Sequence, residues 1–247
     1  MSTEDRKKRC TRRRFLKGTA AGALAFGGAP AFLSCGKAAD KAVGYAPGTK
    51  VHPNLDDLRV VGVHDEKMTE GDAGRISWQQ QEDRVNWDTV QTNMDKLACA
   101  LAEEDDPEKA WKAIFVKPPD KNWSDVVVAI KSNHIFLQRS RSAVVSRVCH
   151  ALTDIVGVKP ENLFIYDACH GKNMAKEPPF DDIPDGVNLA ATWGGSDTPV
   201  TVPHPWFDGT KKAKCLSHLA KGEGDILVDL ALCKGHTIEY GGFTMAM

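Results

Sequence analysis

The sequence predicts an α/β domain: a mostly parallel sheet with flanking helices, built on a βαβ core around residues 125–167. Two apolar runs and the segment between them carry this expectation. Asp125 to Lys131 (DVVVAIK) and Leu163 to Asp167 (LFIYD) are continuous and rich in β-branched or aromatic residues. That is the pattern of strands covered on both faces. Between them, Val144, Val145, Val148, Ala151, Leu152 and Ile155 share one face of a helix over Ser142 to Val156. Gly157 and Pro160 mark its end. Strand, helix and strand in this order give a parallel pair with a right-handed crossover. Composition agrees with a globular chain: 247 residues, 42% hydrophobic, 26% charged, net charge −1. A near-neutral balance offers no basic footprint for nucleic acid, and the composition excludes a polytopic membrane protein.

From the N-terminus, residues 1–31 read as a twin-arginine export signal. Its recognition residues are Arg12, Arg13, Phe15, Leu16 and Lys17, after a basic region of Arg6, Lys7, Lys8 and Arg9. Gly18 to Phe32 is weakly apolar, too short and too Gly-rich for a membrane span of roughly 20 residues. Ala29-Pro30-Ala31 supplies the small-x-small pattern of a cleavage site. Phe32-Leu33-Ser34-Cys35 is an imperfect lipobox, so a lipoprotein anchored through Cys35 is a second reading. The expected partner is the twin-arginine translocase. The expected location is periplasmic or extracytoplasmic, with membrane contact only through a lipid on Cys35. The resemblance to such signals implies export of folded cargo, which raises the expectation of a metal, iron–sulfur or organic cofactor. Cleavage removes eight Lys/Arg and two acids, leaving 24 basic and 31 acidic residues, net −7. That balance suits a soluble exported protein and argues against binding to DNA or anionic lipid.

Residues 32–57 read as a linker, and 58–247 as a single domain. Arg59 to His64 (RVVGVH) is expected as a short strand, and the polar, Gln-rich stretch Gly71 to Arg84 as a surface loop. Val90, Met94, Leu97, Ala98 and Leu101 predict a helix over Asp88 to Ala102. The acids Glu103 to Asp106 sit badly at its C-terminal end, where the macrodipole disfavours them. Asp106 and Pro107 instead start the next helix, as N-cap and first-turn proline, running through Trp111. After the βαβ core, six prolines predict a loop-rich insertion over 172–208, with Val187 to Trp193 its one expected strand. Ile226 to Leu232 (ILVDLAL) is a further strand of the same sheet, interrupted by Asp229.

Seven cysteines are scattered singly: Cys10, Cys35, Cys99, Cys149, Cys169, Cys215 and Cys233. The absence of CxxC pairs removes local ferredoxin or zinc-ribbon motifs. Export permits disulfides, whose partners one sequence does not assign; the other reading for Cys99, Cys149 and Cys233, which lie in apolar runs, is that of buried free thiols.

Three apolar strands end in polar groups: Lys131-Ser132-Asn133-His134, Asp167-Ala168-Cys169-His170-Gly171 and Lys234-Gly235-His236. If the strands are parallel, these ends share one edge, where open α/β sheets bind ligands. Lys131 with Asn133, and Lys234 with His236, repeat one geometry: two polar side chains on the same side of an extended chain. The lysines favour an anion such as a phosphate or carboxylate. Histidines with Asp167 can hold a metal or move a proton.

At these residues the chain resembles domain-of-unknown-function family 362 in exported form. VVAIKSN (Val127 to Asn133) is similar to the family's strand with an Ile-Lys-x-Asn ending. GVKPENLFIYDA (Gly157 to Ala168) resembles the following segment, which ends a strand in an acid. DILVDLALCKGHTIEYGGFTMAM (Asp225 to Met247) is similar to the Leu-Lys-x-His-x-x-x-Gly-x-Thr segment, with Cys233 where Leu is usual. The resemblance runs from about Val60 to Met247. The family continues past this point with Lys-Asn and a further long portion, so the chain is expected to be a truncated piece. Some members carry iron–sulfur modules, and nothing of that kind is seen here.

The leading expectation is an exported α/β domain that binds an anionic or metal-linked ligand at strand ends. Lys131, Asn133, Lys234 and His236 hold the ligand, while Asp167 orients it or accepts a proton; in an enzyme, Asp167 and His236 are the catalytic pair. Whether it is an enzyme stays open. A second reading is an envelope redox protein whose metal or iron–sulfur cluster is ligated by Cys169, His170, Cys215 and Cys233. A third is a non-enzymatic envelope lipoprotein or partner-binding protein.

Overall fold

Two of the predicted strands lie side by side and parallel at the centre of a four-stranded sheet. The computed structural model describes residues 59–71, 76–134, 139–170, 180–193, 198–204, 209–215, 219 and 221–233. The strands are β1 (Val128–Ser132), β2 (Leu163–His170), β3 (Asn188–Trp193), β4 (Thr198–His204), β5 (Gly209–Cys215) and β6 (Ile226–Leu230). One four-stranded sheet has the order β3-β2-β1-β6, with every neighbouring pair parallel. A separate antiparallel pair joins β4 and β5. The fold is therefore α/β and mostly parallel, as expected.

The helices are α1 (Trp78–Glu82), α2 (Trp87–Ala102), α3 (Pro107–Ile114) and α4 (Ser142–His150). Helix α4 joins β1 to β2 as the expected βαβ unit. Val128 and Ile130 of β1 and Leu163 and Ile165 of β2 are fully buried. They pack with Val145, Val148, Cys149 and Leu152 in the main core. Each such aliphatic side chain contributes about 2 kcal/mol of transfer free energy. Ala98, Ala110 and Trp111 of α2 and α3 complete that cluster. On β6, Ile226, Val228 and Leu230 pack against it, while Leu227 and Asp229 are exposed. Asp229 is thus the polar position of a border strand with alternating faces.

Local sequence explains the helix boundaries. Asp106 accepts hydrogen bonds from the Glu108 and Lys109 backbone N–H at 2.9 and 3.2 Å, capping α3 with Pro107 at its first position. Helix α2 ends at Glu103, whose φ of 57° is left-handed. The Arg59 guanidinium donates to Leu101 O at 3.0 Å and pairs with Glu103 at 3.1 Å. A cation at the negative helix end offsets the acids that crowd there. The expected helix over 142–156 is one path with two pitches, because Ala151–Val156 widen into a π segment. There the Thr153 hydroxyl lies 3.2 Å from Cys149 O, competing for a helix carbonyl. Gly157, at φ 94°, closes it.

Several expectations are corrected. Arg59 to His64 forms no strand: Arg59 is held at the end of α2, and Val60 is 92% exposed. The stretch Gly71 to Arg84 contains helix α1, started by a capping box between Ser77 and Gln80. Strand β1 begins at Val128, because Trp123–Asp125 form a 3₁₀ turn. β6 stops at Leu230. The insertion 172–208 holds β3, as expected, but also β4, which includes Pro199 and Pro203. A two-stranded ribbon has a free edge on each strand, so proline is tolerated there. Cys233 is exposed rather than buried, whereas Cys149 is buried and Cys99 half-buried.

The expected signal residues Arg12, Arg13, Phe15, Leu16 and Lys17, the cleavage residues Ala29 and Ala31, and Cys35 lie outside the described residues. So do Lys234 and His236. Among the described residues no helix is long and apolar enough to cross a membrane.

Candidate functional site

In the parallel sheet, Lys131 lies opposite Tyr166 of β2 and Asp229 of β6. The carboxyl ends of β1, β2 and β6 therefore share one edge, and α4 starts from the chain that leaves β1.

Two predicted site residues meet there. The Lys131 ammonium lies 3.0 Å from Asp167 Oδ1 and donates to Ser132 O at 2.7 Å. The two side chains are 16% and 5% exposed, so this is a nearly buried ion pair. Asp167 Oδ2 accepts the His134 backbone N–H at 2.6 Å. Asp167 thus orients both a cation and the chain leaving β1. Among the described residues these two contacts use two of the three ammonium hydrogens of Lys131.

Asn133 is a clasp. Its N–H donates to Ser140 Oγ at 3.1 Å, and its carbonyl accepts from Ser140 N at 2.9 Å. Its side-chain carbonyl accepts the Leu232 N–H at 2.6 Å, and Ser140 Oγ donates to Leu230 O at 3.0 Å. The exits of β1 and β6 and the entry to α4 are tied together through these groups.

His134 was named only as a strand-end residue, yet it is the most buried histidine described here, 4% exposed. Its ring lies 5.8 Å from that of Phe180. Burial, helped by the nearby Arg139 charge and opposed by Asp167, holds its pKa down at about 4. The imidazole is neutral at pH 7.

Helix α4 takes its N-terminal cap from far away in the chain. Its N-cap residue, Arg141, makes no side-chain cap, and Ser140 is committed to the clasp. Glu82 Oε2 instead accepts the Ser142 N–H at 3.0 Å. A carboxylate suits the positive end of a helix. Burial nonetheless pushes the Glu82 carboxyl above its usual pKa, against the Ser142 N–H and the Arg141 charge. Arg141 Nη1 stands 3.7 Å from Glu82 Oε1, and the guanidinium carbon lies 5.1 Å from the Trp78 ring centroid. Arg139 approaches the same indole at 5.5 Å.

Among the described residues, five buried side-chain atoms make no hydrogen bond: Ser132 Oγ, His134 Nδ1, Arg141 Nη1, Ser142 Oγ and Glu82 Oε1. All five lie at the end of β1 or the start of α4. An unmet buried polar group costs about 1–3 kcal/mol. Folded proteins concentrate such costs where a site requires them.

Of the other candidates, Cys233 is exposed just past the end of β6. Cys169 and His170 end β2, and Cys215 ends β5 in the other sheet; their side chains lie outside the description. Among the described residues no three His, Cys, Asp or Glu side chains group as a metal site. Two open hollows of about 740 and 530 Å³ flank α2, and neither is lined by a strand-end residue. Sequence reasoning missed Glu82, Arg141 and Ser142. The alternation Arg139-Ser140-Arg141-Ser142 just before a helix was the available signal.

No protein-family model, curated protein or solved structure matches the chain.

Proposed function

We propose that this domain binds a small anionic ligand, a phosphate or carboxylate, at the carboxyl edge of its parallel sheet. Lys131 and the Asn133 amide donate to the ligand, Lys234 and His236 complete the set, and Asp167 holds Lys131 in place. The observation that carries this reading is the gathering, among the described residues, of five buried side-chain atoms without a hydrogen bond at the end of β1 and the start of α4. Charge supports it: Lys131, Arg139 and Arg141 face Asp167 and Glu82 across this edge, and the α4 N-terminus adds positive potential. The segments similar to domain-of-unknown-function family 362 end at the same residues. In this reading the N-terminal signal delivers the domain outside the cytoplasm through the twin-arginine translocase.

The test is a thermal-shift titration of the full chain with inorganic phosphate and with citrate. Lys131→Ala combined with Lys234→Ala is expected to abolish the ligand-dependent rise in Tm. Equal rises in parent and variant, or none in either, would refute the proposal.

A further inference from the structure

We infer that the buried Glu82 carboxyl competes with a tetrahedral oxyanion of the phosphate type for the N-terminus of α4. Helix α1 then acts as an autoinhibitory latch on the strand-end site. This rests on the reading that the sheet edge binds an anion.

The carboxylate stands where an anionic ligand of an α/β sheet would stand. It accepts the first helical N–H of α4, that of Ser142, at 3.0 Å, and its side chain is only 4% exposed. It fills that place incompletely. Glu82 Oε1, Arg141 Nη1 and Ser142 Oγ make no hydrogen bonds, although all three are buried at this helix end. A planar carboxylate fixed by its own backbone reaches the Ser142 N–H, stays 3.7 Å from Arg141 Nη1, beyond hydrogen-bond distance, and leaves the Ser142 hydroxyl without a hydrogen bond. A free tetrahedral oxyanion presents more oxygens around one centre, enough for the Ser142 N–H, the Ser142 hydroxyl and Arg141 Nη1 together. This geometry selects phosphate-type over carboxylate ligands.

The latch is built to release. Glu82 is the only buried residue of α1, and no α1 residue belongs to either apolar cluster. Polar groups hold the helix instead. Arg141 donates to Gln81 Oε1, Gln81 donates to Ile76 O at 3.2 Å, and Trp78 lies beneath the two arginines. Segments held by few apolar contacts open at low free-energy cost. The same arginines remain on α4 and on the chain leading to it after α1 departs, so displacement leaves cations for the incoming anion. Burial already penalises the charged form of Glu82, which weakens the competitor.

The experiment is isothermal titration of the full chain, with inorganic phosphate and phenyl phosphate in separate arms. Parent, Glu82→Gln, Ser77→Ala, Lys131→Ala and Arg141→Ala are compared. Glu82→Gln keeps an acceptor for Ser142 N–H but removes the charge. Loss of a charge-assisted competitor is expected to tighten phosphate binding about tenfold. Ser77→Ala breaks the capping box of α1 with Glu82 intact, and is expected to tighten binding several-fold. It decides the matter if Glu82→Gln fails to fold. Arg141→Ala is expected to remove binding. Tightening in the inorganic phosphate arm alone assigns the free ion, and tightening in both arms assigns a phosphomonoester group. Parent binding that Lys131→Ala abolishes, but that Glu82→Gln and Ser77→Ala leave unchanged or weaker, overturns the latch and spares the strand-end site. Absence of binding by every variant overturns both.

Discussion

Replacing Lys131 with Met tests whether the strand-end ion pair is the buried unit described above. The partners are 16% and 5% exposed and 3.0 Å apart. Removing one partner of a buried pair costs about 3–5 kcal/mol, because the other charge stays in place uncompensated. Here Asp167 keeps the His134 N–H at 2.6 Å, a charge-assisted contact worth about 1.5–3 kcal/mol. Part of its solvation is thus retained, and Met fills the space of the lysine stem. The expected cost therefore falls just below that range, about 2–3 kcal/mol, or a fall in Tm of roughly 5–10 °C for a domain of this size. Asp167→Asn placed on top removes the stranded charge, so the double variant should be more stable than Lys131→Met alone. Urea unfolding followed by circular dichroism, run as a double-mutant cycle, measures the coupling, expected at about 2 kcal/mol. A Lys131→Met cost below about 0.5 kcal/mol, or additive single effects, would refute the burial argument.

Further predictions follow from the same structure. His134 has a pKa of about 4 in the folded chain against 6.5 for the free side chain. The unfolded chain therefore binds more protons between these values, so stability falls as pH drops from 6.5 to about 4, by up to about 3 kcal/mol. His134→Gln should flatten that slope in denaturation curves taken across the window, and an unchanged slope counts against the assignment. Asp95 Oδ1 accepts Trp111 Nε1 and Arg147 Nε, each at 2.8 Å, joining α2, α3 and α4. Asp95→Ala should cost about 2–3 kcal/mol in urea unfolding, while a cost near zero would mean the bridge is solvated. Burial pushes the Cys149 thiol up to about 12, and Cys233 is exposed. Mass spectrometry after brief alkylation of folded protein should find Cys233 modified and Cys149 intact until denaturant is added.

The parallel core was legible because its signal is local. The apolar runs at 126–130 and 163–165 and the periodic face between them need no knowledge of distant partners. Asp106 and Pro107 announced their helix for the same reason, since a cap acts within one turn. The Ser77-x-x-Gln80 box was equally local, but it stood in a stretch whose polarity suggested a loop. Lys131 and Asp167 could be paired in advance, because each ends one of two strands expected to be neighbours. Glu82 could not. Its partner Ser142 is 60 positions away, and nothing near Glu82 distinguishes it from a solvated acid on a polar helix. Arg59 was misread in the same way: its role at the end of α2 depends on a contact 42 residues off. The valines beside it imitate a strand but pair with no strand among the described residues.

Strand β6 is fastened to β1 at both ends, by Asp225 on the Val127 N–H at 2.9 Å and by Asn133 on the Leu232 N–H at 2.6 Å. These links span 98 and 99 positions. During synthesis, β1, α4 and β2 emerge together and can associate early, while one flank of β1 waits for a segment made much later. Until it arrives, a flat apolar strand offers its backbone to any passing chain. Ribosome-bound intermediates of this protein are thus most exposed to mispairing along β1, and closure by β6 is the event that ends that hazard.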